Sequence, residues 1–378
     1  MKKYAILFLI VIGTFFAAGT SSKNKLLVLN WGEYINEEAV ALFEEEYNCE
    51  VLIDIADSNE LFYAKIKSGT TAYDLVVPSD YMIERMHEKD LLQPIQKELL
   101  SNYDLVENPF MPGVLGIQSL MFDGNEDYAV PYFWGTFGLM YNKEKAGLED
   151  AITTLGWEAY FNPDKLPSGT KVGMYDVPRF AYAAALLYQN QSPNLETDEA
   201  LELAKTTLES RSYDVWGTDT LKRRVAAKNL DLAFVYTGDF LDMLYTKLDE
   251  NPDMDAITFD IHIPEQTIAF LDAFVMPKKA RHVELAHQFI DFFLRPEIAY
   301  LNASVVGYCT PLVKAYEEIV GYDGDDPWES AWAYATNTYY PLPLPSDPVQ
   351  FKGTPLANLN RSFLSKIDTM VNNVKVKG

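Results

Sequence analysis

Apolar and polar positions along the first third of the chain switch repeatedly between a strand period and a helix period. Residues 25–30 (KLLVLN) read as a buried strand, and residues 37–47 set Val40, Leu42 and Phe43 among acids, an amphipathic helix. Residues 50–55 (EVLIDI) form a second strand and 60–67 a second helix. A third strand, 73–77 (YDLVV), is stopped by Pro78, and residues 83–89 and the stretch from Ser101 onward read as helical. This β–α alternation predicts a parallel sheet with ligands at the carboxyl ends of its strands. The second third predicts another such unit. Its strands are 171–175, 230–236, 260–263 and 269–276; its helices are 180–189, 198–210 and 283–294. A Pro-rich stretch, 341–355, reads as an extended wrap, and a last helix is expected over about 358–374. The fold class is therefore α/β, in two lobes, with chain crossings near 132–136 and 266–271 and a cleft between the lobes.

Composition narrows the function classes. With 48% hydrophobic and 13% aromatic residues in 378, the chain is not disordered. Its 31 basic and 55 acidic residues give a net charge of −24, a field that repels phosphate backbones and argues against nucleic acid as a partner. Lys2 and Lys3 precede an apolar run over 4–18 and then Ala17-Ala18-Gly19-Thr20-Ser21-Ser22, the pattern of a secretory signal peptide over residues 1–22. The run falls short of the ~20 apolar residues of a membrane span and is interrupted by Gly13 and Thr14. No cysteine follows it for a lipid anchor, so a freely soluble, periplasmic protein is expected, with a mature charge of 29 − 55 = −26. Cys49 and Cys309 are open to one disulfide or to two buried thiols.

Signatures of catalysis and metal binding are missing. His87, His262, His282 and His287 have no metal-ligand spacing, with His287 expected on a helix surface. There is no GxSxG elbow, Walker loop or GxGxxG turn. No cofactor and no metal are expected, and no enzyme class is supported beyond the chance pairing of acids such as Asp239 and Asp272.

Strand ends instead repeat a pairing of aromatics with carboxylates. These are Asn30-Trp31-Gly32-Glu33-Tyr34, Val77-Pro78-Ser79-Asp80-Tyr81, Pro131-Tyr132-Phe133-Trp134-Gly135, Tyr236-Thr237-Gly238-Asp239 and Phe270-Leu271-Asp272. An aromatic face attracts a cation by roughly 0.5–2 kcal/mol. A carboxylate hydrogen-bonded to an ammonium adds about 1.5–3 kcal/mol. Acids at two ends of an apolar box would suit a short diamine.

The segments NWGEY, DSNELFYAKIKSG, YDLVVPSDY, YAVPYFWG, AFLDAFVMP and DFFLRPEIA resemble the bacterial spermidine/putrescine-binding proteins of ABC importers, in family order from about residue 26 to 311. The resemblance implies a two-lobed periplasmic-binding fold of type II, with one lobe over 23–133 and 271–314 and the other over 134–270 and 315–378. It implies a polyamine ligand, an ABC permease and ATPase as partners, and a monomer. Trp31 and Tyr34 would be box walls and Glu33 would lie near one amine. Ser79 and Tyr81 fall on the loop after the third strand, and Trp134 stands at the first crossing. Tyr236 replaces the family's usual Trp, and Asp239 matches an acid of the putrescine branch. Phe270 and Asp272 match the aromatic and the central amine-binding acid, and Tyr308 a further wall. One position departs: Phe180 stands where the family often has a carboxylate after an Arg, with Asp176 as a substitute. That departure leaves room for another organic cation, an amino acid derivative or a peptide as ligand. A polyamine sensor and, from another class, a hydrolase using Asp239 and Asp272 are the remaining rivals.

Overall fold

The computed structural model describes residues 24–122, 126–339 and 353–377. The expected signal peptide, 1–22, lies outside these residues, as does the Pro-rich stretch apart from 353–355. Among the described residues twelve strands run in chain order: β1 Asn24–Asn30, β2 Cys49–Ile55, β3 Leu75–Val76, β4 Leu92–Gln93, β5 Val130–Asn142, β6 Val172–Tyr175, β7 Val215–Gly217, β8 Leu232–Tyr236, β9 Phe259–His262, β10 Thr267–Phe274, β11 Met276–Pro277 and β12 Gly353–Pro355. The first three form a parallel sheet in the order β2-β1-β3. The second sheet runs β12-β10-β5-β8-β6-β7, with β9 also paired to β5.

Two long strands join the sheets. β5 is antiparallel to β10 through Thr136 and changes partner at Phe137, from which it pairs with β8 and then β9. β10 in turn reaches the first sheet and the segment after it through isolated bridges, from Asp272 to Ser79 and, just past its end, from Val275 to Val76 of β3. All thirteen residues of β5 are buried, so it reads as a continuous apolar run rather than an alternating one. Pro131 sits beside the register shift opposite Asp272 and Ala273, a position that tolerates a residue without an N–H.

Local capping follows the sequence closely in the first unit. Asn36 caps the helix Glu37–Tyr47 by accepting from Glu38 N and Ala39 N, and Ser58 caps Asn59–Ser68 by accepting from Leu61 N. The helix expected from Ser101 onward is corrected. Asp104 accepts from Val106 N and Glu107 N, and Asn108 donates to the carbonyls of Asn102 and Leu294, fixing a turn. The helix begins only at Pro112 and runs to Phe122. The last helix, Arg361–Lys377, starts later than expected because Asn360 accepts from Ser362 N. His287 is buried rather than on a surface, accepting from Gln96 N at 2.9 Å while its other ring nitrogen meets Val283 O at 2.7 Å. Cys49 and Cys309 are separate buried thiols. No helix among the described residues is long and apolar enough to cross a membrane.

Candidate functional site

Four carboxylates are buried among the described residues: Asp74, Asp80, Asp239 and Asp272. A buried carboxylate is tolerated when donors surround it. Asp74 is surrounded: it accepts from Leu27 N, Arg281 N and His282 N and meets the His282 ring. Asp239 is bonded to Lys222 Nζ at 2.8 Å. Asp80, Asp239 and Asp272 each keep one buried oxygen with no hydrogen-bond partner, and of these Asp80 and Asp272 line the same cavity of about 530 Å³.

That cavity lies where the two sheets meet. β10 places Phe270 and Asp272 on one face, two residues apart. Tyr34 OH donates to Asp272 Oδ2 at 2.6 Å, and the Tyr34 ring stands edge-on to Tyr308 at 5.8 Å between centroids. Tyr308 is perpendicular to Phe270 at 5.6 Å, and Phe270 to Tyr236 at 5.5 Å. Trp31 is held by its indole N–H to Val77 O at 2.8 Å and packs on Phe62. Gly135 opposes Phe270 so closely that a Cβ there would stand 2.6 Å from Phe270 Cζ. A glycine is needed for the ring to lie flat over the strand.

Helix starts bring in the remaining polar groups. Asp80 opens the helix Asp80–Glu88, its Oδ1 accepting from Tyr81 N at 2.7 Å, and Ser79 is tied to Asn59 through both its backbone N–H and its hydroxyl. Asp57 and Glu60 are exposed acids at the cavity's edge. Burial pushes Asp80 up to about 8, with the Asp272 carboxylate adding to it. Burial also pushes Asp272 up to about 6, while the Ser79 and Tyr34 hydroxyls favour its anion. The two acids thus straddle neutral pH, each wanting a donor or a positive charge.

Of the eleven positions expected from sequence, Trp31, Tyr34, Ser79, Tyr81, Tyr236, Phe270, Asp272 and Tyr308 line this cavity. Three do not. Glu33 takes a left-handed turn (φ 53°) and is exposed away from the lining. Trp134 is fully buried with its indole N–H on Thr310 O at 3.2 Å. Asp239 lies outside the lining, its Oδ1 paired with Lys222. Phe180 does line the cavity; Asp176, its suggested substitute, does not and is paired instead with Lys375 of the last helix. Sequence reasoning passed over Asp80, Phe137, Tyr175 and Leu356 as lining residues. Asp80 carried a readable signal, an acid in the first turn of a helix at the carboxyl end of a strand. A larger opening of about 760 Å³ near Trp157 and His262 has only the half-buried Glu158 and the exposed Glu265 as acids.

Comparison with known proteins agrees with this architecture. A family model described as bacterial extracellular solute-binding protein matches residues 38–336. The chain belongs to that family. This solute-binding protein is 29% identical over 329 residues to the putrescine-binding periplasmic protein SpuD of Pseudomonas aeruginosa, covering 83% of this chain and 88% of that one. It is 27% identical over 302 residues to the spermidine/putrescine-binding periplasmic protein of Escherichia coli, covering 79% and 81%. Its fold superimposes on the spermidine/putrescine ABC transporter substrate-binding protein PotD of Streptococcus pneumoniae with a TM-score of 0.72 at 25% identity, over 93% of this chain and 99% of that one. The type II, two-lobed α/β fold expected from sequence is the fold observed.

Proposed function

We propose that the protein is the extracytoplasmic receptor of an ABC importer, capturing a polyamine such as putrescine or spermidine and delivering it to a membrane permease and ATPase. The observation that carries this reading is the pair Asp80 and Asp272, each with a buried oxygen lacking a donor, inside a box of tyrosine, tryptophan and phenylalanine rings. An ammonium supplies the missing donors, and the rings suit both its charge and the methylenes behind it. Leaving such an acceptor unpaired costs about 1–3 kcal/mol, so a ligand that pairs it gains that much over one that cannot. The names of the relatives support the same ligand class. In this reading residues 1–22 are removed on export, and the mature chain is a periplasmic monomer without lipid anchor, cofactor or catalytic activity. Its lobes are 23–133 with 271–314 and 134–270 with 315–378, closing on the ligand between them.

Calorimetry on mature protein, stripped of ligand by unfolding and refolding, tests the reading. Putrescine, spermidine, spermine and the neutral 1,4-butanediol are titrated separately. Saturable micromolar binding of an amine, about −8 kcal/mol, with none for the diol is the expected result. Folded protein that ignores every amine overturns it.

A further inference from the structure

The cavity is lopsided in charge. Its acids, Asp57, Glu60, Asp80 and Asp272, come from the loop and helix start after β2, the helix start after β3, and β10. The wall next to β8 is made of Phe137, Tyr175, Val177, Phe180 and Tyr236 and offers no carboxylate. The buried acid behind that wall is Asp239, in the first turn of the helix Thr237–Glu250 that continues from Tyr236. The Tyr308 ring lies against the preceding residue: a Cβ on Gly238 would be 2.5 Å from Tyr308 Cε1. Asp239 already has a counter-ion on its Oδ1, while its buried Oδ2 keeps no hydrogen-bond partner and does not reach the cavity lining. Lys222, on the helix Thr220–Ala226 and only 8% exposed, places its ammonium 2.8 Å from Asp239 Oδ1 and 3.0 Å from Asp242 Oδ2.

We infer that Lys222 determines ligand specificity by keeping Asp239 from the ligand, so that the cavity recognises one ammonium strongly and the rest of the molecule by aromatic contact. This rests on the amine-binding reading above and refines it. A second ligand ammonium reaching the β8 side meets rings, and the carboxylate behind them already holds a positive charge. Displacing Lys222 would exchange one buried ammonium for another with no net gain in charge. Lys222 acts through Asp239 and is a positioning residue.

The test compares putrescine with n-butylamine, which has the same carbon chain and one ammonium fewer, by calorimetry on the mature protein. Wild type should prefer putrescine by less than about tenfold. Lys222→Met, which keeps the stem and removes the charge, should raise that preference by at least about tenfold, equivalent to 1.4 kcal/mol. Asp239→Asn, which leaves Lys222 bonded to Asp242, should keep the putrescine Kd within about threefold of wild type. An unchanged preference in folded Lys222→Met overturns the inference. So does a tenfold loss of putrescine affinity in Asp239→Asn, and this second variant decides alone if the first fails to fold. Amine binding with either of these results sinks only the role of Lys222. Failure of both amines to bind wild type overturns the amine reading and this inference together.

Discussion

Acidification should weaken amine binding ever more steeply, as first Asp80 and then Asp272 takes up a proton in the ligand-free protein. An alkylammonium with a pKa near 10.4 stays charged from pH 5 to 9, so only the protein titrates. Burial holds Asp272 at about 6 and Asp80 at about 8 in the ligand-free protein. An ammonium favours both anions, so binding lowers both values and releases protons wherever the free protein holds them. Between pH 7 and 5 the ionised fraction of Asp272 falls from about 0.9 to about 0.1, which weakens Kd about tenfold, and the proton that Asp80 releases throughout that range adds about a hundredfold. Asp80 contributes a comparable factor between pH 9 and pH 7. Calorimetry in two buffers of different ionisation heat counts the protons: about one released at pH 7, from Asp80, and about two at pH 5. A Kd that stays flat from pH 7 to 5 with no buffer dependence would refute the assignment of Asp272 as the ammonium's partner.

Three further outcomes are expected. Asp272→Asn should cost a charge-assisted hydrogen bond of about 1.5–3 kcal/mol, weakening putrescine roughly 10- to 150-fold in calorimetry and removing one of the two protons released at pH 5. Gly135→Ala puts a methyl 2.6 Å from Phe270 Cζ and should push that ring off the strand. Amine affinity should then drop by about 0.5–2 kcal/mol with the circular dichroism spectrum unchanged. Asp80→Asn should stabilise the ligand-free protein at high pH. Because Asp80's folded value is raised to about 8, its ionisation costs stability as pH rises from about 4 to 8, and the full cost is present above 8. The variant should melt about 2 °C or more higher at pH 9, and show no gain at pH 4, by scanning calorimetry.

The sequence made some of this legible and hid the rest for identifiable reasons. β1 and β2 and the helices after them were readable because each has one period and its own cap, Asn36 or Ser58. β5 was not, because it is buried on both faces and carries Pro131, Gly135 and Gly138, which read as breakers. In the strand these residues serve a register shift and close approach by Phe270 and by Ile261 and Ile263. Most of the site was legible as residues at strand ends, but side-chain direction was not. Glu33 turns outward on one positive φ, and Trp134 is directed into the core toward Thr310. Asp239 is decided by Lys222, a pairing between two helices that no local spacing announces. Leu356 enters from the far end of the chain, placed by β12 pairing alongside β10 and by Asn194, which bonds both Pro355 O and Ala357 N.

The position of Asp272 explains how a cavity built by distant segments can hold one charge accurately. β10 is hydrogen-bonded on one side to β5 and reaches β3 and Ser79 on the other through single bridges, so its backbone is fixed by both sheets at the point where they join. On this strand Phe270 and Asp272 are about 6.6 Å apart along one face, from the rise of about 3.3 Å per residue. That is close to the reach of four or five carbon–carbon bonds. An ammonium set on Asp272 therefore lays its methylenes across Phe270, with Tyr308 and Tyr236 perpendicular to that ring on either side. The strand ends and helix starts that supply Trp31, Ser79 and Asp80 from one sheet, and Tyr175 and Phe180 from the other, surround an axis that β10 already defines. In the amine-binding reading proposed above, ligand length would then be read from the strand outward, starting from the ammonium set on Asp272.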